Sequence, residues 1–96
     1  MKNYYVYIMT NKNNTALYIG FTSELVQRVY QHKNEWYSES YTAKYVLGKL
    51  VYYEIYGDPN TAIAREKWLK KAYKKTKLKL VNEKYPFWND LYGEIV

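Results

Sequence analysis

Two short alternating segments near the N-terminus constrain this chain more than any other feature. Tyr4 to Thr10 and Ala16 to Gly20 are rich in β-branched and aromatic residues, and each reads as a strand. Asn11-Lys12-Asn13-Asn14 between them is turn chemistry, because asparagine tolerates positive φ. The pair predicts an antiparallel hairpin. A two-residue loop at Lys12-Asn13 sets Tyr7 opposite Tyr18, Ile8 opposite Leu17 and Val6 opposite Ile19. One face of that hairpin is aliphatic, which pins the register. The other face displays Tyr5, Tyr7 and Tyr18, with Gly20 leaving open space beside Tyr5.

Downstream, Thr22 or Ser23 suits the N-cap of a helix that begins at Glu24 and runs to about Asn34. Leu25 and Val29 lie on its buried side, and Arg28 and His32 share a stripe four residues apart. Glu35 to Tyr45 shows no clear period and reads as a loop or a ragged helix. Leu47 to Tyr56 holds a third strand, ended by Gly57-Asp58-Pro59-Asn60. Asp58 or Asn60 caps a second helix, and Pro59 fits its first turn. That helix spans roughly Thr61 to Lys74 and points Ala62, Ile63, Leu69 and Tyr73 at the core. A short helix follows near Lys77 to Asn82, and Tyr85-Pro86-Phe87-Trp88 docks its aromatics on the body. The order β-β-α-β-α-α predicts one α+β domain over residues 1–96, with a three-stranded antiparallel sheet flanked by helices.

Composition narrows the chemistry. The chain has 96 residues, of which 48% are hydrophobic, enough to close one core. It has no cysteine, which removes disulfides, thiolate metal sites and thiol nucleophiles and fits a reducing compartment. The N-terminal apolar run is too short for a secretory signal and no stretch approaches a membrane span, so a cytoplasmic protein with no membrane partner is expected. A net charge of +6 favours a polyanionic partner, since each neutralised phosphate releases counterions. There is no phosphate-binding glycine loop, no HExxH and no serine-triad motif. Metal-assisted phosphodiester chemistry suits the remaining groups best.

Glu66 is the position that points most directly to such chemistry. It shares a helical stripe with Ala62, Leu69 and Tyr73, and a carboxylate facing inward costs energy unless something pairs with it. It reads either as a ligand for Mg²⁺ or Mn²⁺ or as the partner of Lys70 or Arg28. Arg28, one of two arginines, could grip a phosphate through two donors or pair with Glu24. Arg65 points to a different face from Glu66 and reads as structural or phosphate-positioning. His32 is the only histidine, so any imidazole proton transfer falls to it. Tyr7 and Tyr18 are either a stacked pair or phenols that act on water. Lys67, Lys70, Lys71 and Lys74, with Lys75, Lys77 and Lys79 beyond, could cradle a DNA backbone or simply solvate a helix.

These residues resemble a known family. Tyr5-Val6-Tyr7 and Tyr18-Ile19-Gly20 are similar to the two halves of the GIY-YIG signature. Gly20-Phe21-Thr22-Ser23-Glu24-Leu25 with Arg28 and His32 resembles the family's YIG-x-T-x-x-L-x-x-R-x-x-x-H, and Arg65-Glu66-Lys67 its metal-binding helix. Pro86-Phe87-Trp88-Asn89-Asp90-Leu91-Tyr92 is similar to the small stand-alone UPF0213 branch. The first glycine of the signature is Tyr5 here. The family's asparagine downstream of the glutamate would fall at Asn82, whereas the branch carries it directly before the proline, where this chain has Tyr85.

The resemblance implies a single-metal endonuclease. Glu66 would bind Mg²⁺ or Mn²⁺, Arg28 would stabilise the phosphate, and Tyr7 and Tyr18 would position or deprotonate water with help from His32. Cleavage would leave a 5′-phosphate and a 3′-hydroxyl. The expected partner is DNA, branched or damaged, in repair or recombination, with low intrinsic sequence specificity unless a protein partner supplies it. The rival expectation is a non-catalytic nucleic-acid-binding module on the same fold.

Overall fold

The computed structural model describes residues 2–34 and 47–96, so the Glu35 to Tyr45 segment lies outside the described residues. Strands β1 (Tyr4–Thr10), β2 (Leu17–Thr22) and β3 (Lys49–Tyr56) form one antiparallel sheet in the order β2-β1-β3. Helices α1 (Leu25–Lys33), α2 (Pro59–Lys71), α3 (Lys74–Lys84) and the single turn α4 (Tyr92–Ile95) flank it. The architecture is the α+β arrangement that the sequence predicts. No helix among the described residues is long and apolar enough to cross a membrane.

The sheet separates two apolar layers. Val6, Ile8 and Ile19 pack with Ala62 and Leu69 of α2 and Val81 of α3. Tyr7 and Met9 pack on the other face with Leu25 and Val29 of α1, Leu50 and Leu91. Alternation along β1 does this sorting, because successive side chains point to opposite faces. A bulge in β3 interrupts the alternation: Ile8 pairs with Tyr52 and Met9 with Leu50, so Val51 has no partner residue. Val51 and Tyr52 both join the α2 and α3 layer as a result.

The hairpin register differs from the expected one by two residues. Tyr7 pairs with Gly20, Ile8 with Ile19 and Met9 with Tyr18, around a six-residue loop from 11 to 16. The asparagines explain the longer loop. The Asn11 side-chain oxygen accepts from the backbone of Thr15 at 2.7 Å and of Ala16 at 3.1 Å, and Asn14 takes a φ of 58°. A shift of two keeps every side chain on its expected face. It also corrects the role of Gly20, which faces the ring of Tyr7 and leaves no open space beside Tyr5.

The helix ends depart from expectation as well. Asp58 caps α2 by accepting from Thr61 N at 2.8 Å, with Pro59 in the first turn. The helix stops at Lys71, because Ala72 takes extended angles and Tyr73 becomes the N-cap of α3. Tyr73 therefore leaves the Leu69 stripe and is 85% exposed instead of buried. α3 begins three residues earlier than expected and ends two later. In the tail, Tyr85 stacks on Tyr53 and Trp88 donates to Asn82 at 2.6 Å, whereas Phe87 stays 82% exposed.

A polar network on the α2 side secures that helix to the sheet. Arg65 donates to Glu54 through Nε at 3.0 Å and Nη2 at 2.9 Å, and the hydroxyls of Tyr52 and Tyr56 donate to the same carboxylate. Burial works against the charged Glu54, but these four donors outweigh it and hold its carboxyl below the usual range. Arg65 is thus committed to the fold and lies over the Trp68 ring.

Candidate functional site

The site is built where β1, β2 and α1 meet on the α1 face of the sheet. Thr22 ends β2, and its hydroxyl accepts from Glu24 N at 2.9 Å, turning the chain into α1. That turn sets the helical stripe carrying Arg28 and His32 against the strand face carrying Tyr7 and Tyr18. Tyr7 and Tyr18 ring centroids lie 6.3 Å apart, and both rings tilt against His32, at 5.8 Å and 5.2 Å. The Tyr7 hydroxyl and His32 Nε2 share a hydrogen bond of 2.9 Å. Tyr7 is fully buried and Tyr18 half-buried.

Gly20 makes this cluster possible. A Cβ there would sit 2.7 Å from Cε1 of Tyr7 and closer still to its Cζ and hydroxyl oxygen. Only a bare backbone lets the phenol lie across β2 and reach His32.

His32 is 4% exposed. Burial, reinforced by the Arg28 charge, lowers its pKa from 6.5 to about 4, so the imidazole is neutral at pH 7. A neutral ring keeps one acceptor nitrogen, which a proton-transfer role requires. The shift also has a stability consequence. The folded state binds this proton less readily than the unfolded chain, so stability falls as pH drops from 6.5 towards 4. Between pH 7 and pH 5 the His32 share is about 2 kcal/mol. Glu54 and Asp90, whose pKa values are also depressed, add their losses at lower pH, in the carboxylate range. Urea unfolding at pH 7 and pH 5 should show this loss in the wild type and lose most of it in His32→Gln; equal slopes would contradict it.

Arg28 lies one turn before His32 and lines a surface recess of about 310 Å³ with Phe21, Thr22, Ser23, Glu24, Gln27 and Gln31. β2 is an edge strand. Phe21 packs with the α2-side layer and Arg28 stands on α1, so the recess wraps the edge where the two layers meet. Gln27 and Gln31 were not singled out in the sequence, although their i,i+4 spacing around Arg28 was available.

Glu66 stands on the α2 stripe between buried Ala62 and Leu69, with its side chain 16% exposed. Of the two partners considered for it, the structure records Lys70, at 3.1 Å. The helix packs against β1 and β2 on the face opposite Tyr7, Tyr18 and His32. The structure therefore joins Tyr7, Tyr18, His32 and Arg28 in one cluster and leaves Glu66 out of it, in the layer on the opposite face of the sheet. Among the described residues, no group of three or more acidic or histidine side chains could hold a metal. A lone carboxylate fits a hard divalent ion that completes its shell with water and substrate phosphate.

The predicted lysines divide in two. Lys70 pairs with Glu66, and Lys74 donates to Thr15 O at 2.7 Å. Lys67 and Lys71 are exposed, beside a half-exposed Trp68. Asn82 is engaged as the acceptor for Trp88.

Known proteins resemble the chain over most of its length. A family model described as the GIY-YIG catalytic domain matches residues 3–79. A UPF0213 protein of Clostridium perfringens is 37% identical over 84 residues, covering 83% of this chain and 84% of its own. A UPF0213 protein of Staphylococcus haemolyticus is 33% identical over 84 residues, covering 88% of this chain and all of its own. No solved structure matches the chain significantly.

Proposed function

The chain belongs to the GIY-YIG family of nuclease domains, with UPF0213 relatives, and from that premise we propose that it is a divalent-metal-dependent DNA endonuclease of low sequence specificity. The observation that carries the reading is the convergence of Tyr7, Tyr18 and His32 around one hydrogen bond, with Arg28 a turn away at an open recess. Arg28 grips a phosphate entering the recess and stabilises the charge that develops on it. Tyr18, the more accessible phenol, orients the attacking water. Tyr7 and neutral His32, joined by their buried hydrogen bond, support that phenol from behind and assist the proton transfer. Glu66 would hold Mg²⁺ or Mn²⁺, which supplies positive charge against the scissile phosphate. Lys67, Lys70, Lys71 and Lys74 track the DNA backbone without reading bases.

The pairing of Glu66 with Lys70 favours one alternative, a nucleic-acid-binding module without catalysis. Incubating the protein with supercoiled plasmid and with branched DNA over a range of Mg²⁺ and Mn²⁺ separates the two. Nicking that stops on adding EDTA is the expected result. Binding with no cutting in either metal, at any protein concentration, would replace this reading with the alternative.

A further inference from the structure

The last 17 residues lie beyond the stretch that the family model matches, yet their end is tied to the helix that carries Arg28 and His32. Asp90 is the centre of that tie. Its Oδ1 accepts from Leu50 N at 3.1 Å and from Tyr92 N at 3.1 Å, and its Oδ2 accepts from Lys33 Nζ. Lys33 also donates to Gly48 O at 2.7 Å and lies over the Tyr92 ring. Leu91 N donates to Leu50 O at 2.7 Å, and the Leu91 side chain is buried with Tyr7, Leu25 and Val29. One carboxylate thus joins three elements: β3, α4 and the last turn of α1. Burial opposes the charge on Asp90, but its donors outweigh that and keep it ionised well below neutral pH.

Lys33 follows His32 directly and belongs to the same final turn. A free helix end frays, because its last carbonyls lack partners. Here the side-chain tie at Lys33 holds that turn against β3, the strand beside β1 and Tyr7.

We propose that Asp90 is a positioning residue for the reaction, acting through Lys33 on the placement of His32 and Arg28, and that the C-terminal segment is a working part of the catalytic unit. The proposal deepens the nuclease reading and rests on it for its rate effects. Misplacing a reacting group by about 1 Å costs on the order of 100-fold in rate. Asp90→Asn should therefore lower the turnover number for plasmid nicking by roughly 10- to 100-fold, with the KM for DNA nearly unchanged. Asp90→Glu, which keeps the charge, should recover part of the loss.

His32 is the only histidine, so its ring signals in an NMR spectrum need no assignment. They should move in Asp90→Asn and in the milder Lys33→Gln, and stay in place in Lys12→Gln, a substitution in the exposed hairpin loop. A lower melting temperature with His32 signals and turnover at wild-type values would overturn the proposal and leave Asp90 a purely structural residue. If the wild-type protein cuts no DNA, the nuclease reading fails, and the His32 signals alone decide the positioning claim.

Discussion

Gly20→Ala is expected to destabilise the protein by about 3 kcal/mol and to abolish nicking, although it adds a single methyl group. The added Cβ would meet Cε1 of Tyr7 at 2.7 Å, with the ring carbon and oxygen beyond it nearer still. Real Cβ atoms do not tolerate such contacts, so the phenol must leave. It has nowhere to go within a layer already filled by Met9, Leu25, Val29, Leu47 and Leu50. Overpacking of this kind costs roughly 1–3 kcal/mol, and breaking the bond to buried His32 leaves a polar atom unsatisfied for a similar amount. For a domain of this size the melting temperature should fall by more than about 10 °C. Thermal unfolding of Gly20→Ala, Tyr7→Leu and the double variant measures the coupling. The alanine should cost far less where the ring is absent. Equal costs in both backgrounds would show that the Tyr7 ring is not what makes Gly20 necessary.

Much of the fold was legible because period-two and helical patterns survive small errors of boundary. The hairpin illustrates this. Its loop was misjudged, since the side-chain bonds of Asn11 and the positive φ of Asn14 leave no trace in a hydrophobic pattern. The faces were still right, because a slip of two residues preserves them. Tyr73 fails for the opposite reason. Its spacing from Leu69 predicts burial only while the helix continues, and α2 ends at Lys71. The pairing of Glu54 with Arg65 joins positions eleven residues apart on different elements, which no local periodicity reports. At the candidate site, the stripe of Arg28 and His32 was readable from a helical wheel. The opposition of Gly20 and Tyr7 was not, because it depends on register. Nor was the tie through Asp90, which spans 57 residues to Lys33.

The other large effect is expected at Glu66. Its recorded partner is Lys70, one helical turn away, and the lysine side chain is half exposed. An i,i+4 pair of this kind contributes only about 0.3–0.5 kcal/mol. Glu66→Gln keeps the shape of the side chain, so it should fold as the wild type does, with a melting temperature within a few degrees. A carboxylate that serves only that pair would be dispensable for catalysis. A carboxylate that holds the metal would not: losing that ligand should lower the nicking rate by about 1,000-fold or more. DNA binding in EDTA should be unaffected or slightly tighter, since one negative charge has gone. Single-turnover nicking of supercoiled plasmid by wild type and Glu66→Gln, across Mg²⁺ and Mn²⁺ concentrations, is the direct test. The account predicts metal-dependent nicking by the wild type and none by a folded, DNA-binding Glu66→Gln. Nicking by Glu66→Gln at the wild-type rate and with the same metal dependence would contradict it.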